Sequence, residues 1–249
     1  MTQIILCGCA GKMGLAVQAA INSREDCEIV AGVDITGKDQ PGFPVYTGIH
    51  EILERARVLI DFSHPSALQD ILAYCKERGI AAVLCTTGYS PEQVESIHEA
   101  AKTIPILYSR NMSLGINLLV GLAQKAAAVL GSDFDVEILE MHHNQKIDAP
   151  SGTALMIADA ISAVHDNNTK YTYDRHSQRK KREPNEIGIH AVRGGSIVGE
   201  HQVIFAGHHE TITLSHSAQS KELFAIGAVN AAVFMDGKGP GLYDMSDLI

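Results

Sequence analysis

The segment Gly8-Cys9-Ala10-Gly11-Lys12-Met13-Gly14 constrains this chain more than any other. It follows a short apolar run, residues 3–8. It opens a stretch, 12–22, in which Met13, Val17, Ala20 and Ile21 recur at helical spacing. A glycine turn between a strand and a helix is the context in which a dinucleotide pyrophosphate is bound. Gly8 permits the tight turn, Gly11 lets the backbone approach the phosphates, and Gly14 lets the helix pack close to the strand. The N–H groups and dipole at the helix start favour an anion. Ala10 stands where the commoner pattern has its second glycine. Asp34, which ends the second apolar run (27–34), supports the nucleotide reading, because a carboxylate there can accept both ribose hydroxyls. The bland alternative is a merely structural turn. Asp34 repels a 2′-phosphate, which predicts that NADH is preferred; Lys12 and Lys38 could offset that repulsion and leave NADPH possible.

The pattern around the loop sets the fold class. Apolar runs at 3–8, 27–34, 58–63, 81–87 and 104–109 alternate with helical segments at 12–22, 65–78 and 91–102. Short apolar strands alternating with helices indicate βαβ units and a buried parallel sheet. Right-handed crossovers then give an α/β, doubly wound Rossmann arrangement. After residue 111 the pattern changes. A helix is predicted over 115–130, a strand over 134–143 and a helix over 153–164. Strands follow at 187–193, 198–206 and 210–217. In the last, Ile212, Leu214 and His216 alternate with Thr211, Thr213 and Ser215, which suits an antiparallel sheet with unlike faces. A second, α+β domain with a mixed or antiparallel sheet therefore follows the first. A final helix is expected over 223–234, and a glycine-rich turn over 237–241.

Composition removes several function classes. With 20 Lys and Arg against 29 Asp and Glu, the formal net charge is −9, which argues against a nucleic-acid partner. No uninterrupted apolar stretch reaches the length of a membrane span; the nearest, 115–131, carries Gln124 and Lys125. The start lacks a basic region followed by a long apolar one, so no signal peptide is read. Five scattered cysteines fit a reduced, cytoplasmic protein. No metal site is expected: His142-His143 and His208-His209 are adjacent pairs rather than pairs one helical turn apart, and no Cys-x-x-Cys occurs. Residues 166–184 are polar and hold Arg175, Arg179, Lys180, Lys181 and Arg182. They read either as a surface loop or as a flap adding positive charge over an anionic ligand.

The densest chemistry runs from Glu140 to Ala154, off a strand, through a loop and into a helix. His142 and His143 lie at the strand end, and Lys146 can return near either. Imidazole suits proton transfer near neutral pH. A partly desolvated lysine beside it can donate a proton or anchor a carboxylate. Ser151, Gly152 and Thr153 fall at the helix start, where N–H groups bind a carboxylate or where the serine is simply a cap. Asp148 could orient Lys146 or cap the helix. Paired histidines at a strand end are also compatible with plain solvent exposure.

These residues, with Cys85-Thr86-Thr87-Gly88, Ser109-Arg110-Asn111-Met112-Ser113, His190-Ala191-Val192-Arg193, Gly199-Glu200-His201 and Gly241-Leu242-Tyr243-Asp244-Met245, occur in order along nearly the whole chain. The sequence resembles the 4-hydroxy-tetrahydrodipicolinate reductase (dihydrodipicolinate reductase) family, and the run from His142 to Thr153 is the most specific part of that likeness. The resemblance implies a dinucleotide-binding domain formed by 1–110 plus 220–249. It implies a substrate-binding and oligomerisation domain at 111–219, in a homotetramer built through the sheets of the second domain. It also implies NAD(P)H-dependent reduction of a small dicarboxylate heterocycle in the diaminopimelate route to lysine. His142 and Lys146 would be the catalytic proton-handling pair. His143, Gly152 and Thr153 would bind substrate. Gly8, Cys9, Ala10, Gly11, Lys12, Met13, Asp34, Cys85, Thr86, Thr87, Ser109, Arg110, Asn111 and Met112 would contact the dinucleotide. Three positions depart from the family's usual pattern: Cys85 stands for glycine, Ile35 for the arginine some members carry, and Ser220-Lys221 for Ser-Arg.

Overall fold

The computed structural model describes residues 1–38 and 40–249. Its elements, in chain order, are β1 (Thr2–Cys7), α1 (Lys12–Asn22), β2 (Cys27–Val33), β3 (Val45–Tyr46), β4 (Val58–Asp61), α2 (Leu68–Arg78), β5 (Ala81–Leu84), α3 (Pro91–Ala101), β6 (Pro105–Tyr108), α4 (Leu114–Leu130), β7 (Asp135–His142), α5 (Gly152–Val164), β8 (Lys170–Thr172), β9 (Glu186–Arg193), β10 (Gly199–Ala206), β11 (Thr211–Ala218), α6 (Glu222–Met235) and β12 (Gly241–Tyr243). They divide into two compact units, Met1–Leu114 with Glu222–Ile249, and Gly115–Lys221.

The first unit holds a seven-stranded sheet in the order β12-β6-β5-β4-β1-β2-β3. Every pairing in it is parallel. Parallel strands covered on both faces must be apolar throughout, and β4 and β5 are buried at all their positions. One face packs on α1 and α6 through Val17, Ile21, Ala228 and Ala232; the other packs on α2 and α3 through Leu68, Ile71, Ile97 and Ala100. The chain reverses direction across the sheet between β1 and β4, so the crevice at their carboxyl ends is the switch point where such sheets bind ligands. Ser90 begins α3 with a reciprocal cap to Gln93, and Pro91 fills the first helical position.

The second unit holds a five-stranded mixed sheet in the order β11-β10-β7-β9-β8. The β11, β10 and β7 pairings are antiparallel, and β7, β9 and β8 run parallel. Alternation places Val136, Ile138, Val203 and Phe205 on the face that packs against Ile116, Leu119, Ile157 and Ile161 of α4 and α5. Both sheets therefore match the architecture expected from the pattern.

Three short edge strands were not anticipated. β12 follows the expected glycine turn and pairs with β6. β3 and β8 extend the other edges. Residues 166–184, read as a surface loop or a flap, are tied in part to the second unit's own sheet. They contain β8, and two of their guanidinium groups turn to the unit's own carboxylates: Arg175 meets Glu186 at 2.9 Å and Glu137 at 3.0 Å, and Arg182 meets Asp135 at 2.7 Å and Glu137 at 3.1 Å. By length and composition alone, Leu114–Asp133 qualifies as a helix able to cross a membrane despite Gln124 and Lys125. Its Ile116, Leu119, Ala123 and Ala127 are committed to the core of the second unit.

Candidate active site

In the first unit the parallel pairing brings the loops after β1, β2, β4, β5 and β6 to one edge of the sheet. These loops hold the residues singled out for the dinucleotide. Gly8 has φ +75°, and a Cβ there would lie 2.4 Å from the Phe62 carbonyl oxygen. A Cβ on Gly14 would lie 2.2 Å from the Gly8 oxygen. The strand and helix approach so closely here that no other residue fits either position. Helix α1 starts at Gly11 without a side-chain cap and without an acidic residue in its first turn, which leaves its N-terminus suited to an anion.

Beside the loop lies a cavity of about 420 Å³ lined by Gly8, Gly11, Asp34, Ile35, Thr47 and His64, among others, a size usual for a small-molecule site. Asp34 does two jobs. Its Oδ2 accepts from the Ala10 backbone N–H at 3.1 Å, tying the second strand to the glycine loop, and its Oδ1 accepts from the Thr36 N–H and hydroxyl. A carboxylate has about four acceptor positions, so these three bonds leave one, on Oδ2, for a ribose hydroxyl. The glycine cradle and the acidic strand end thus fit a dinucleotide.

Other candidates on this edge divide into backbone and side-chain positions. Cys9 and Met112 are both buried with their side chains in the core. Burial pushes the Cys9 thiol up to about 11. Cys85 is also enclosed; burial and then Asp61 raise its thiol well above the usual range. Lys12, Thr87 and Arg110 are exposed, Met13 packs partly on the core, and Thr86 is buried. The Ser109 hydroxyl donates to the Asn111 carbonyl at 3.0 Å, and the Asn111 side chain accepts from the Ser113 N–H at 2.8 Å. Sequence reasoning missed the loop after β4. There, buried Asp61 accepts from the Ser63 N–H and hydroxyl and from the Tyr89 hydroxyl, shaping the turn that places His64 in the cavity wall.

In the second unit β7 ends at His142, and the chain turns through 143–151 into α5. Glu140 and His142 share a face of β7 because they are two residues apart. His142 Nδ1 lies 2.6 Å from Glu140 Oε2. Glu140 is fully buried and also accepts a two-pronged contact from Arg193 of β9. Burial raises the Glu140 carboxyl, but the Arg193 and His142 bonds and the Ser151 N–H more than offset it, so the group lies below its ordinary value and is ionised at neutral pH. Burial lowers His142; Glu140 opposes this, while Lys146 and Arg193 add to it, and the net shift is downward. Lys146 Nζ pairs with Asp148 at 2.7 Å. The Lys146 bond is the largest cause of the lowered Asp148 carboxyl, and the Gly152 N–H contributes as well.

Ser151 caps α5 by accepting from the Ala154 N–H at 3.1 Å, and its hydroxyl meets His201 Nε2 at 3.1 Å. Gly152 and Thr153 therefore form the first turn, as the sequence indicates. His143 is half-buried, and its carbonyl accepts from the Lys146 N–H. The structure thus gathers His142, Lys146 and the α5 start in one place. It gives a partner role to Glu140, which the sequence placed in the segment without one, and adds Arg193 and His201 from β9 and β10. Among the described residues no group of three or more His, Cys, Asp or Glu is arranged to hold a metal ion.

The family described as dihydrodipicolinate reductase, N-terminus, matches residues 2–112, and that described as dihydrodipicolinate reductase, C-terminus, matches residues 115–249. A 4-hydroxy-tetrahydrodipicolinate reductase from Caldanaerobacter subterraneus subsp. tengcongensis is 52% identical over 249 residues, covering 100% of this chain and 98% of the relative. One from Clostridium novyi is 49% identical with the same coverage. Among solved structures, a dipicolinate-bound dihydrodipicolinate reductase from Paenisporosarcina sp. TG-14 superposes with a TM-score of 0.84 at 26% identity over 100% of both chains. A myo-inositol dehydrogenase from Corynebacterium glutamicum shares the fold at a TM-score of 0.59 and 16% identity, covering 96% of this chain and 90% of its own. With both halves matched end to end by one family, the chain belongs to the dihydrodipicolinate reductase family.

Proposed function

We propose that this protein reduces 4-hydroxy-tetrahydrodipicolinate to tetrahydrodipicolinate in the diaminopimelate route to lysine: loss of the 4-hydroxyl as water gives dihydrodipicolinate, the conjugated imine that takes up hydride and a proton. NADH is the preferred reductant and NADPH a possible one. The observation that carries the reading is the His142–Glu140–Arg193 cluster beside the lysine and the helix start of the second unit. Dipicolinate, present in the solved relative, is a planar heterocycle with two carboxylates, and the donors here suit such a molecule.

The dinucleotide would be held by the glycine loop, Asp34 and the loops after β5 and β6. When bound it supplies the hydride, directed to ring C4. The protein's own residues do the rest. Asp148 sits on Lys146 and Gly152, the donors assigned to a substrate carboxylate, so the incoming carboxylate exchanges for that of Asp148. Thr153 and His143 complete the contacts around it. As C4 gains hydride, negative charge moves toward the ring nitrogen, and the ammonium of Lys146 stabilises it. His142 delivers a proton to the neighbouring ring carbon. Its lowered proton affinity makes it a stronger acid once protonated.

A homotetramer fits the second sheet. The face opposite α4 and α5 carries Leu139, Met141, Val192 and Ile204, with Val192 41% exposed, a surface suited to a second copy. A cytoplasmic enzyme agrees with five reduced, buried cysteines.

The test is a coupled assay with freshly generated ring substrate, following NADH absorbance. Substrate-dependent oxidation that dipicolinate inhibits competitively supports the reading. NADH oxidation with other aldehyde or amino-acid substrates but none with this ring would assign the chain to another dehydrogenase chemistry.

A further inference from the structure

Glu140 has none of its side chain exposed and stands two residues before the proposed proton donor. Four donors converge on its two oxygens. Oε1 accepts from Arg193 Nη2 at 2.7 Å and from the Ser151 backbone N–H at 3.0 Å. Oε2 accepts from Arg193 Nη1 at 2.8 Å and faces His142 Nδ1 at 2.6 Å. Arg193 also donates to the Asp148 carbonyl at 2.7 Å, so one guanidinium ties the carboxylate to the substrate loop. On its other side the His142 ring meets His201 edge-on, with centroids 5.2 Å apart. Gly199 leaves room for that ring: a Cβ there would come within 3.1 Å of His142 Nε2.

We propose that Glu140, held and neutralised by Arg193, is a positioning residue that fixes His142 as its Nδ1–H tautomer and so reserves Nε2 for proton exchange with substrate. An ionised carboxylate accepts only, so the proton between the pair belongs to Nδ1. Arg193 has a distinct part. Alone, a buried carboxylate would hold the imidazole cationic; with the guanidinium on both of its oxygens, it orients the ring without locking in a charge. The groups facing His142 are Glu140 from its own strand, Arg193 from β9, His201 from β10 and Lys146 from the loop. His201, pushed down to about 4 mainly by burial, is neutral where the enzyme works and adds no charge.

The inference rests on the proposed reductase reading for its consequence, yet the tautomer is measurable without turnover. In Glu140→Gln the amide NH₂ cannot face Oε1's partners, because the Ser151 N–H and Arg193 Nη2 only donate. The Oε2 place holds one such donor, Arg193 Nη1, rather than two, so the NH₂ is expected there, facing His142, whose ring can adapt by moving its proton to Nε2.

The experiment is ¹⁵N NMR of histidine-labelled protein at mildly alkaline pH, with the His142 ring assigned by its loss in His142→Gln. Wild type should show Nδ1 protonated and Glu140→Gln should show Nε2 protonated. Its kcat should fall about 10²- to 10⁴-fold, the scale of a lost general acid, with NADH affinity unchanged. Glu140→Asp, which keeps the charge, should retain the Nδ1–H signal and recover part of the rate. Nε2–H in the wild-type spectrum would overturn the proposal, and needs no variant to fold. So would an Nδ1–H signal in Glu140→Gln together with reduced kcat. A wild-type rate in His142→Gln would instead refute the reductase role of His142, whatever the tautomer.

Discussion

Replacing Gly14 with alanine isolates the role of the glycine loop. The added methyl would sit 2.2 Å from the Gly8 carbonyl oxygen and 2.5 Å from that of Cys9, over 1 Å short of ordinary contact. Both obstacles are backbone, so no side chain can swing away. Helix α1 is anchored below by Val17 and Ile21 in the core, so the strain falls on the loop. Overpacking of this kind costs about 1–3 kcal/mol. If the loop yields, its N–H groups leave the phosphate position, and the same energy appears as about a 5- to 150-fold rise in the NADH Kd. If it holds, the cost appears in the unfolding free energy of the cofactor-free protein. Fluorescence titration with NADH and denaturant unfolding measure the two shares. Gly121→Ala is the control. It lies inside α4 with nothing within 4 Å of a new Cβ, so alanine should stabilise by about 0.5–1 kcal/mol and leave NADH binding alone. Wild-type values for Gly14→Ala in both assays would refute the close-approach reasoning.

Three further outcomes are expected. Lys146→Ala should raise the KM for the ring substrate and lower kcat together, because the proposal assigns its ammonium both to a substrate carboxylate and to the developing charge; a change in KM alone would confine it to binding. Competitive titration should show NADH bound more tightly than NADPH, since Asp34, the residue assigned to the ribose, lines the cavity beside Ile35 rather than beside an arginine; tighter NADPH binding would overturn that preference. His201 should make the fold acid-sensitive. Its folded value of about 4 lies below the ordinary 6.5 of histidine. As pH falls from about 6.5 to 4, the unfolded chain takes up a proton that the folded chain refuses, so stability present above that window is lost within it. The loss is of order 3 kcal/mol. His201→Gln should flatten the dependence of denaturation midpoint on pH through that range, and an unchanged slope would place the titration elsewhere.

Much of the fold was legible because periodicity reports burial. The apolar runs of β1, β4 and β5 and the alternation of β11 each name their environment without reference to the rest of the chain. What escaped was either short or distant. β3 and β8 have two and three residues, too few to show a period. β12 was masked by the glycines around it. The cations of 166–184 were visible, but Arg175 finds Glu137 across 38 residues, and nothing local marks that carboxylate as its partner. The site divides in the same way. Gly8 to Gly14 and His142 to Thr153 are contiguous, so the candidate residues could be picked out from order alone. Glu140 and Arg193 are 53 residues apart and meet only because β7 and β9 pair in register, His142 opposite Arg193. The sequence showed a charged residue before a histidine pair; the sheet made it a buried, clamped carboxylate.

The most direct measurement is turnover of His142→Ala with the ring substrate, alongside the NADH affinity of the same variant. With His142 as the proton-delivering group, kcat falls about 10²- to 10⁴-fold while the NADH Kd stays at its wild-type value. Wild-type turnover in that variant would contradict the assignment and remove the chemical role given to this cluster.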